Sequence, residues 1–302
     1  MKHLFLSTLI LFLNVSFSVQ ASESAWILPL NSSYWELQSA YGRYQENNQQ
    51  FQQASFLAHG EIGFLETATL FMDIPFLTRM QSQPGQTPDY LINNGLTDMR
   101  LGLRMRLFSD VISQPWSLAL RTAIRFPVGY NPGLAPVIGD HTFDSELGLG
   151  LGYDFSPFEA YVQSGLSYRY RARYERSHII LTQAKEQGLT VFTPADQVIA
   201  YSEAGIWITP QVFAAISLTG EFGINDKERW VQSQLFLRPL VAWRLNPYAD
   251  LSLQYEQSLW SQREPFLSQL AIGAHFRFGS PLGREVGLRG GEADFAEYRP
   301  EY

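Results

Sequence analysis

The chain contains no cysteine, which excludes disulfide bonds; the absence fits an exported bacterial protein that does not rely on them and equally the many cytosolic proteins that lack cysteine. Lysine is almost missing: only Lys2, Lys185 and Lys227 occur, although arginine is common. Charged residues make up 17% of the 302 positions, against roughly 25% in an average soluble domain. The formal net charge is −7, and an acidic chain with scattered arginines lacks the basic patch that nucleic acid requires. Beyond the first twenty or so residues there is no uncharged apolar run near the ~20 residues of a spanning helix, so no membrane helix is expected in the remainder.

The first 21 residues have the layout of a secretory leader. Lys2 supplies the positive charge, positions 4–19 are apolar or hydroxyl-bearing with Asn14 the most polar member, and Val19-Gln20-Ala21 offers small residues where a signal peptidase reads. The expected organisation is a leader over 1–21, one folded domain over 22–278 and a tail over 279–302. A single all-β domain of that length is ordinary for a barrel.

Aromatic residues are 14% of the chain, and the apolar ones recur with period two. Trp116, Leu118, Leu120, Ile124 and Phe126 alternate with Ser117, Ala119, Arg121, Ala123 and Arg125. Met99, Leu101, Leu103, Met105 and Leu107 alternate with Arg100, Gly102, Arg104 and Arg106. Successive strand side chains point to opposite faces, so each segment has one apolar and one polar face; a helix would scatter both sets. The same reading predicts twelve strands, over 34–44, 54–64, 68–80, 96–108, 116–128 and 142–155, then 160–174, 197–208, 211–224, 230–245, 249–260 and 265–278. Each is long enough for the ~9–11 tilted residues that cross a bilayer.

Connection lengths point the same way. Those around 65–67, 109–115, 156–159, 209–210 and 246–248 are short, whereas those over 81–95, 129–141 and 175–196 are long. The first loop is intermediate, and the ninth and eleventh connections are short. Short periplasmic turns and longer external loops belong to a transmembrane antiparallel up-and-down β-barrel, here with twelve strands and both termini on the periplasmic side. Closure is required because a free sheet edge cannot be satisfied in lipid. Aromatics near strand ends, among them Tyr34, Trp35, Trp116, Tyr153, Phe155, Trp243 and Trp260, suit the two membrane interfaces. The last strand places Leu270, Ile272, Phe276 and Phe278 on its outward face. A closing Phe276 and Phe278 resemble the signal read by the outer-membrane assembly machinery, although here a tail follows it. Expected surroundings are outer-membrane lipid and lipopolysaccharide.

Several segments resemble the meta-pathway phenol-degradation family of outer-membrane proteins, XagA-like members included. Asn94-Gly95-Leu96-Thr97-Asp98-Met99-Arg100-Leu101-Gly102-Leu103 is similar to a strand of that family, Ser24 to Pro29 to its mature N-terminus, and Gly139-Asp140 with Phe143-Asp144 and the glycine-rich stretch 147–153 to a third block. The resemblance touches about half the chain. It implies a channel-like barrel of ill-defined substrate and carries no set of functional residues.

The inward face is where function would show. The alternation turns Arg100, Arg104, Arg106, Arg121, Arg125, Arg169, Arg171 and Arg173 inward, giving a basic wall. Asp73, Asp144, Glu146, Glu203, Glu221 and Glu256 also face inward and give acidic stretches elsewhere. Opposed charges across a narrow lumen set ion preference and orient polar solutes. The expectation is a porin-like channel for small solutes, aromatic or anionic. The competing reading is a filled barrel whose inward charges pair with one another and whose external loops do the work. Bulky inward Tyr201, Trp207, Phe213 and Phe236 favour a narrow lumen. An envelope enzyme is the third possibility, but no outward His and Ser share a strand near the rim, and no His/carboxylate cluster has metal-site spacing. His59 and His275 are expected to face inward, while His141 and His178 lie near loops. No catalytic residue, metal or cofactor is expected. Gly-Leu-Gly-Leu-Gly at 148–152 lies within a strand, so it is no nucleotide loop; its inward glycines admit wall bending or a bulky lumen group.

Overall fold

A computed structural model describes residues 25–46, 49–82, 92–109, 115–129, 142–155, 158–173, 195–224, 233–262 and 266–279. Twelve strands run in chain order: β1 Ser33–Glu46, β2 Gln49–Leu65, β3 Ala68–Ser82, β4 Ile92–Ser109, β5 Trp116–Gly129 and β6 Thr142–Asp154. They continue with β7 Ala160–Arg173, β8 Gln197–Thr209, β9 Val212–Gly223, β10 Ser233–Asn246, β11 Ala249–Gln262 and β12 Phe266–Phe278. Each pairs antiparallel with its chain neighbour, and β1 pairs with β12, so the sheet closes into a barrel with no free edge. The strand count, order and closure are those expected from period two. One difference is the first loop-end connection, which is short rather than intermediate: β1 continues to Glu46 and β2 begins at Gln49.

The barrel has two unlike ends. β1 starts and β12 finishes at the end with the tight turns, at 66–67, 210–211 and 247–248. The long connections lie at the other, loop end. Alternation divides the wall cleanly in β6, where Phe143, Leu147, Leu149 and Leu151 are exposed and Thr142, Asp144 and Glu146 are buried. Inverted burial of this kind, with leucines out and carboxylates in, is what a barrel wall facing hydrocarbon requires. Leu270, Ile272 and Phe278 likewise face outward.

Two local features depart from a regular wall. The β3–β4 ladder runs to Asp73↔Arg100 and resumes only at Thr78↔Gly95. Pro75, within the gap, has no N–H to donate, and a register shift in β2–β3 pairing at Phe56/Leu57 leaves Phe76 without a partner there. Phe76 and Leu77 consequently both point outward, half exposed, as in a bulge. The second feature lies before β1. Asn31, with φ of 65°, turns the chain so that Asn31 N–H donates to the Gly63 carbonyl at 2.9 Å; asparagine tolerates this left-handed conformation. The preceding residues then enter the barrel.

Candidate functional site

The lumen at the turn end holds residues 25–28. Ala25, Trp26 and Leu28 are buried. Four strands fix their backbone through side chains. Ala25 N–H donates to Gln163 Oε1 of β7 at 3.0 Å, and Ser117 of β5 donates to the Ala25 carbonyl at 2.8 Å. Arg104 Nη1 of β4 donates to the Trp26 carbonyl at 2.9 Å, and Leu28 N–H donates to Thr69 Oγ1 of β3 at 2.7 Å. An inserted segment has no sheet ladder of its own, so side chains must satisfy its buried polar groups. The Trp26 ring meets Tyr161 edge-on at 5.5 Å and joins a buried apolar cluster with Trp207, Phe213 and Ala242. It lies against Gly152, where an added Cβ would be 2.5 Å from the ring. Gly150 and Gly165 similarly face Tyr201. The inward glycines of β6 thus make room for bulky lumen groups.

Above this segment the interior is ionic, with its charges paired. Glu146 is the hub: Arg100 Nη2 donates to it at 2.5 Å, Arg169 Nε donates at 2.7 Å, and Arg121 Nη2 lies 3.6 Å away. Arg169 also reaches Glu221 at 3.2 Å. Asp144 stands between Arg125, at 3.1 Å, and Arg171, at 3.6 Å. His59 joins Asp73 at 2.6 Å through Nδ1 and Glu61 at 3.1 Å through Nε2. Glu61 in turn faces Arg104 at 3.2 Å, which ties the ionic network to the inserted segment. The Phe71 ring fills the space beneath Arg100 and Arg104, whose guanidinium carbons lie 5.5 and 5.6 Å from its centroid. On the far wall Arg238 pairs with Glu256, and Arg277 pairs with Asp250, which also meets Arg244 at 3.4 Å.

Most sequence-expected lumen residues are therefore brought together. Arg100, Arg104, Arg121, Arg125, Arg169, Arg171, Asp73, Asp144, Glu146, Glu221 and Glu256 are all buried inside the wall. Glu203 is half-buried and accepts from the Tyr161 hydroxyl and, at 2.9 Å, from Gln163 Nε2. Arg106 lies at the turn end and donates to the Glu66 carbonyl instead of joining the network. The Arg173 side chain, His141 and His178 fall outside the described residues, as do the leader and the tail beyond Gly279.

The expected separation into a basic wall facing acidic ones is not found. Asp144 and Glu146 lie on β6, between the arginines of β5 and β7, because buried guanidinium groups need carboxylates within hydrogen-bond reach. Glu36, Glu61, Asp98, Arg238, Arg244, Asp250 and Arg277 also belong to the interior and were absent from the expected set. Glu61 was legible, since it shares a face with His59. The insertion of residues 25–28 was not, because four residues carry no periodicity. Among the described residues no group of three or more His, Cys, Asp or Glu could hold a metal.

No protein-family model matches the chain and no curated protein matches it, so the resemblance drawn above rests on the quoted segments alone. Solved structures do match. The COG4313 outer membrane channel from Pseudomonas putida F1 aligns with a TM-score of 0.63 at 13% identity, over 87% of this chain and 100% of that one. The NanC porin aligns with a TM-score of 0.47 at 10% identity, over 80% and 98%. The translocator domain of autotransporter NalP from Neisseria meningitidis gives 0.43 at 9%, over 82% and 88%. At 13% identity the likeness to the outer membrane channel concerns the fold alone, a barrel of the outer-membrane type.

Proposed function

We propose that this protein is an outer-membrane channel for small solutes whose periplasmic mouth is closed by its own residues 25–28. The observation that carries the reading is the docking of that segment inside the barrel by side chains of β3, β4, β5 and β7. A barrel that served only as a scaffold for its loops would need no such insertion, since paired charge already satisfies the polar groups of the wall. The apolar outer face supports a place in the outer membrane, and the turn end, with both ends of the strand order, is then periplasmic. The structural likeness to an outer-membrane channel agrees with this reading. Because the arginines are neutralised by carboxylates, the lumen offers no standing preference for anions. The inserted segment is continuous with β1 through a single turn at 29–32, so it can withdraw without disturbing the wall.

The test is single-channel conductance of the refolded protein beside a variant lacking residues 22–28. The expected result is a small or rare conductance in the full chain and a larger, steady one in the variant. Silence from both, with folded barrels verified by their gel mobility before and after heating, would overturn the channel reading.

A further inference from the structure

The interstrand registers align ten inward residues in a single row, one on each of ten successive strands, and every one of them is ionisable. On the loop-end side, Arg171 of β7 faces Asp144 of β6, and Asp144 faces Arg125 of β5. Arg125 faces Arg100 of β4, which faces Asp73 of β3, which faces His59 of β2. His59 faces Glu36 of β1, and Glu36 faces His275 of β12. His275 faces Asp250 of β11, and Asp250 faces Arg244 of β10.

Such a row runs perpendicular to the strands, which tilt by roughly 35–45° in barrels of this kind, so it climbs the inner wall as a ramp. Its ends confirm the climb. Asp144 and Arg171 lie close to the loop ends of β6 and β7, whereas Asp250 and Arg244 flank the tight turn at 247–248. The row therefore reaches from one mouth to the other. Contacts follow it closely: Arg171–Asp144 at 3.6 Å, Arg125–Asp144 at 3.1 Å, Arg100–Asp73 at 3.6 Å, His59–Asp73 at 2.6 Å, His275–Glu36 at 3.9 Å and Arg244–Asp250 at 3.4 Å. The like-signed step from Arg125 to Arg100 is relieved from the next row by Glu146, 2.5 Å from Arg100.

Residues 25–28 hydrogen-bond to β3, β4, β5 and β7, whereas the turn-end part of the row is carried by β1, β12, β11 and β10. Its last member, Arg244, lies 4.0 Å from the centroid of the Trp207 ring, in the cluster that Trp26 joins, so the row ends against the closing segment.

We infer that this row is a track for small zwitterions, solutes that carry an ammonium and a carboxylate a few ångströms apart. This rests on the channel reading above and narrows it. Stations on neighbouring strands are spaced by about 4.8 Å. A lone anion that engages an arginine displaces that arginine's carboxylate partner and then meets the carboxylate as a like charge. A lone cation meets the opposite difficulty. Either leaves a buried charge without a partner, which is very costly. A zwitterion spanning two stations replaces both partners at once, its carboxylate on the arginine and its ammonium on the acid. No station is stranded, and the next pair repeats the exchange. A series of sites, none of which strands a charge, is what passage, as opposed to capture, requires. A neutral polyol offers no charge to exchange and gains nothing from the row.

The experiment is osmotic swelling of vesicles containing the full-length protein or the variant lacking residues 22–28, in γ-aminobutyrate and in erythritol, a neutral solute of similar size. The expected result is faster entry of γ-aminobutyrate, and loss of that advantage in a double variant, D144N/R125Q, that keeps hydrogen-bonding shapes but removes both charges. Barrel folding of the variant is verified by its heat-dependent gel mobility; if it does not fold, Asp250→Asn at the other end of the row takes its place. Equal entry of the two solutes through the variant lacking residues 22–28 would overturn the track. If that variant conducts ions while γ-aminobutyrate enters it no faster than erythritol, the track fails and the channel stands. If nothing passes through either protein, both fail.

Discussion

At the residue scale the interior is a set of obligatory pairs. Glu146 answers three arginines, so its charge cannot be removed without leaving buried guanidinium groups short of a counter-ion. Breaking a buried pair from one side costs about 3–5 kcal/mol. Glu146→Gln should therefore lower the midpoint of thermal unfolding, measured by circular dichroism, whereas outward Ser164→Ala should leave it in place. An unchanged midpoint in the first variant would mean that the network is not what stabilises the interior. Gly152 makes a separate point. A side chain there collides with the Trp26 ring, since even its Cβ would be 2.5 Å away. Gly152→Val should push Trp26 out of its pocket and raise open probability in single-channel records, without loss of the folded barrel. Which residues face inward was readable from alternation, down to His59 and His275. Which residues pair was not, because pairing is set by register between strands, and period two within one strand says nothing about its neighbour's offset. That is why a basic wall was expected where Asp144 and Glu146 of β6 in fact interleave with the arginines.

At the element scale, the strands were legible because inward and outward environments differ so sharply. β6 shows this, with four exposed hydrophobics alternating with buried polar groups and glycines. The inserted segment was not legible as an element: it has no ladder, no period and no turn signature beyond Asn31, and only the completed lumen shows what Trp26 packs against. The β3–β4 seam is a second feature that strand patterning concealed. Pro75 could be seen in the sequence, but the loss of pairing from Ile74 to Leu77 depends on the bulge opposite Phe56/Leu57. Amides lacking ladder partners open at low local cost. Hydrogen exchange in detergent micelles or nanodiscs should thus be faster at Ile74, Phe76, Leu77 and 96–99 than at the continuous β6–β7 seam, where pairing runs unbroken from Thr142 to Asp154. Equal protection at the two seams would show that the wall is closed there by other means.

At the scale of the whole molecule, an apolar exterior, an ionic interior and a closed sheet follow from one rule. Every strand that crosses lipid must satisfy its backbone with neighbours and its polar side chains with the lumen. The lumen so formed is lined by paired charge, and the account's central claim is that residues 25–28 hold it shut. The chain's lack of cysteine permits a clean test. A Cβ built on Gly150 would stand 3.6 Å from the Cβ of Ala25, within the roughly 3.5–4.5 Å that a disulfide spans. Single-channel conductance of the A25C/G150C protein should be negligible when oxidised and should rise on addition of dithiothreitol to the level of the variant lacking residues 22–28. An oxidised protein, its cross-link verified by mass spectrometry, that conducts as well as the reduced one would contradict the claim.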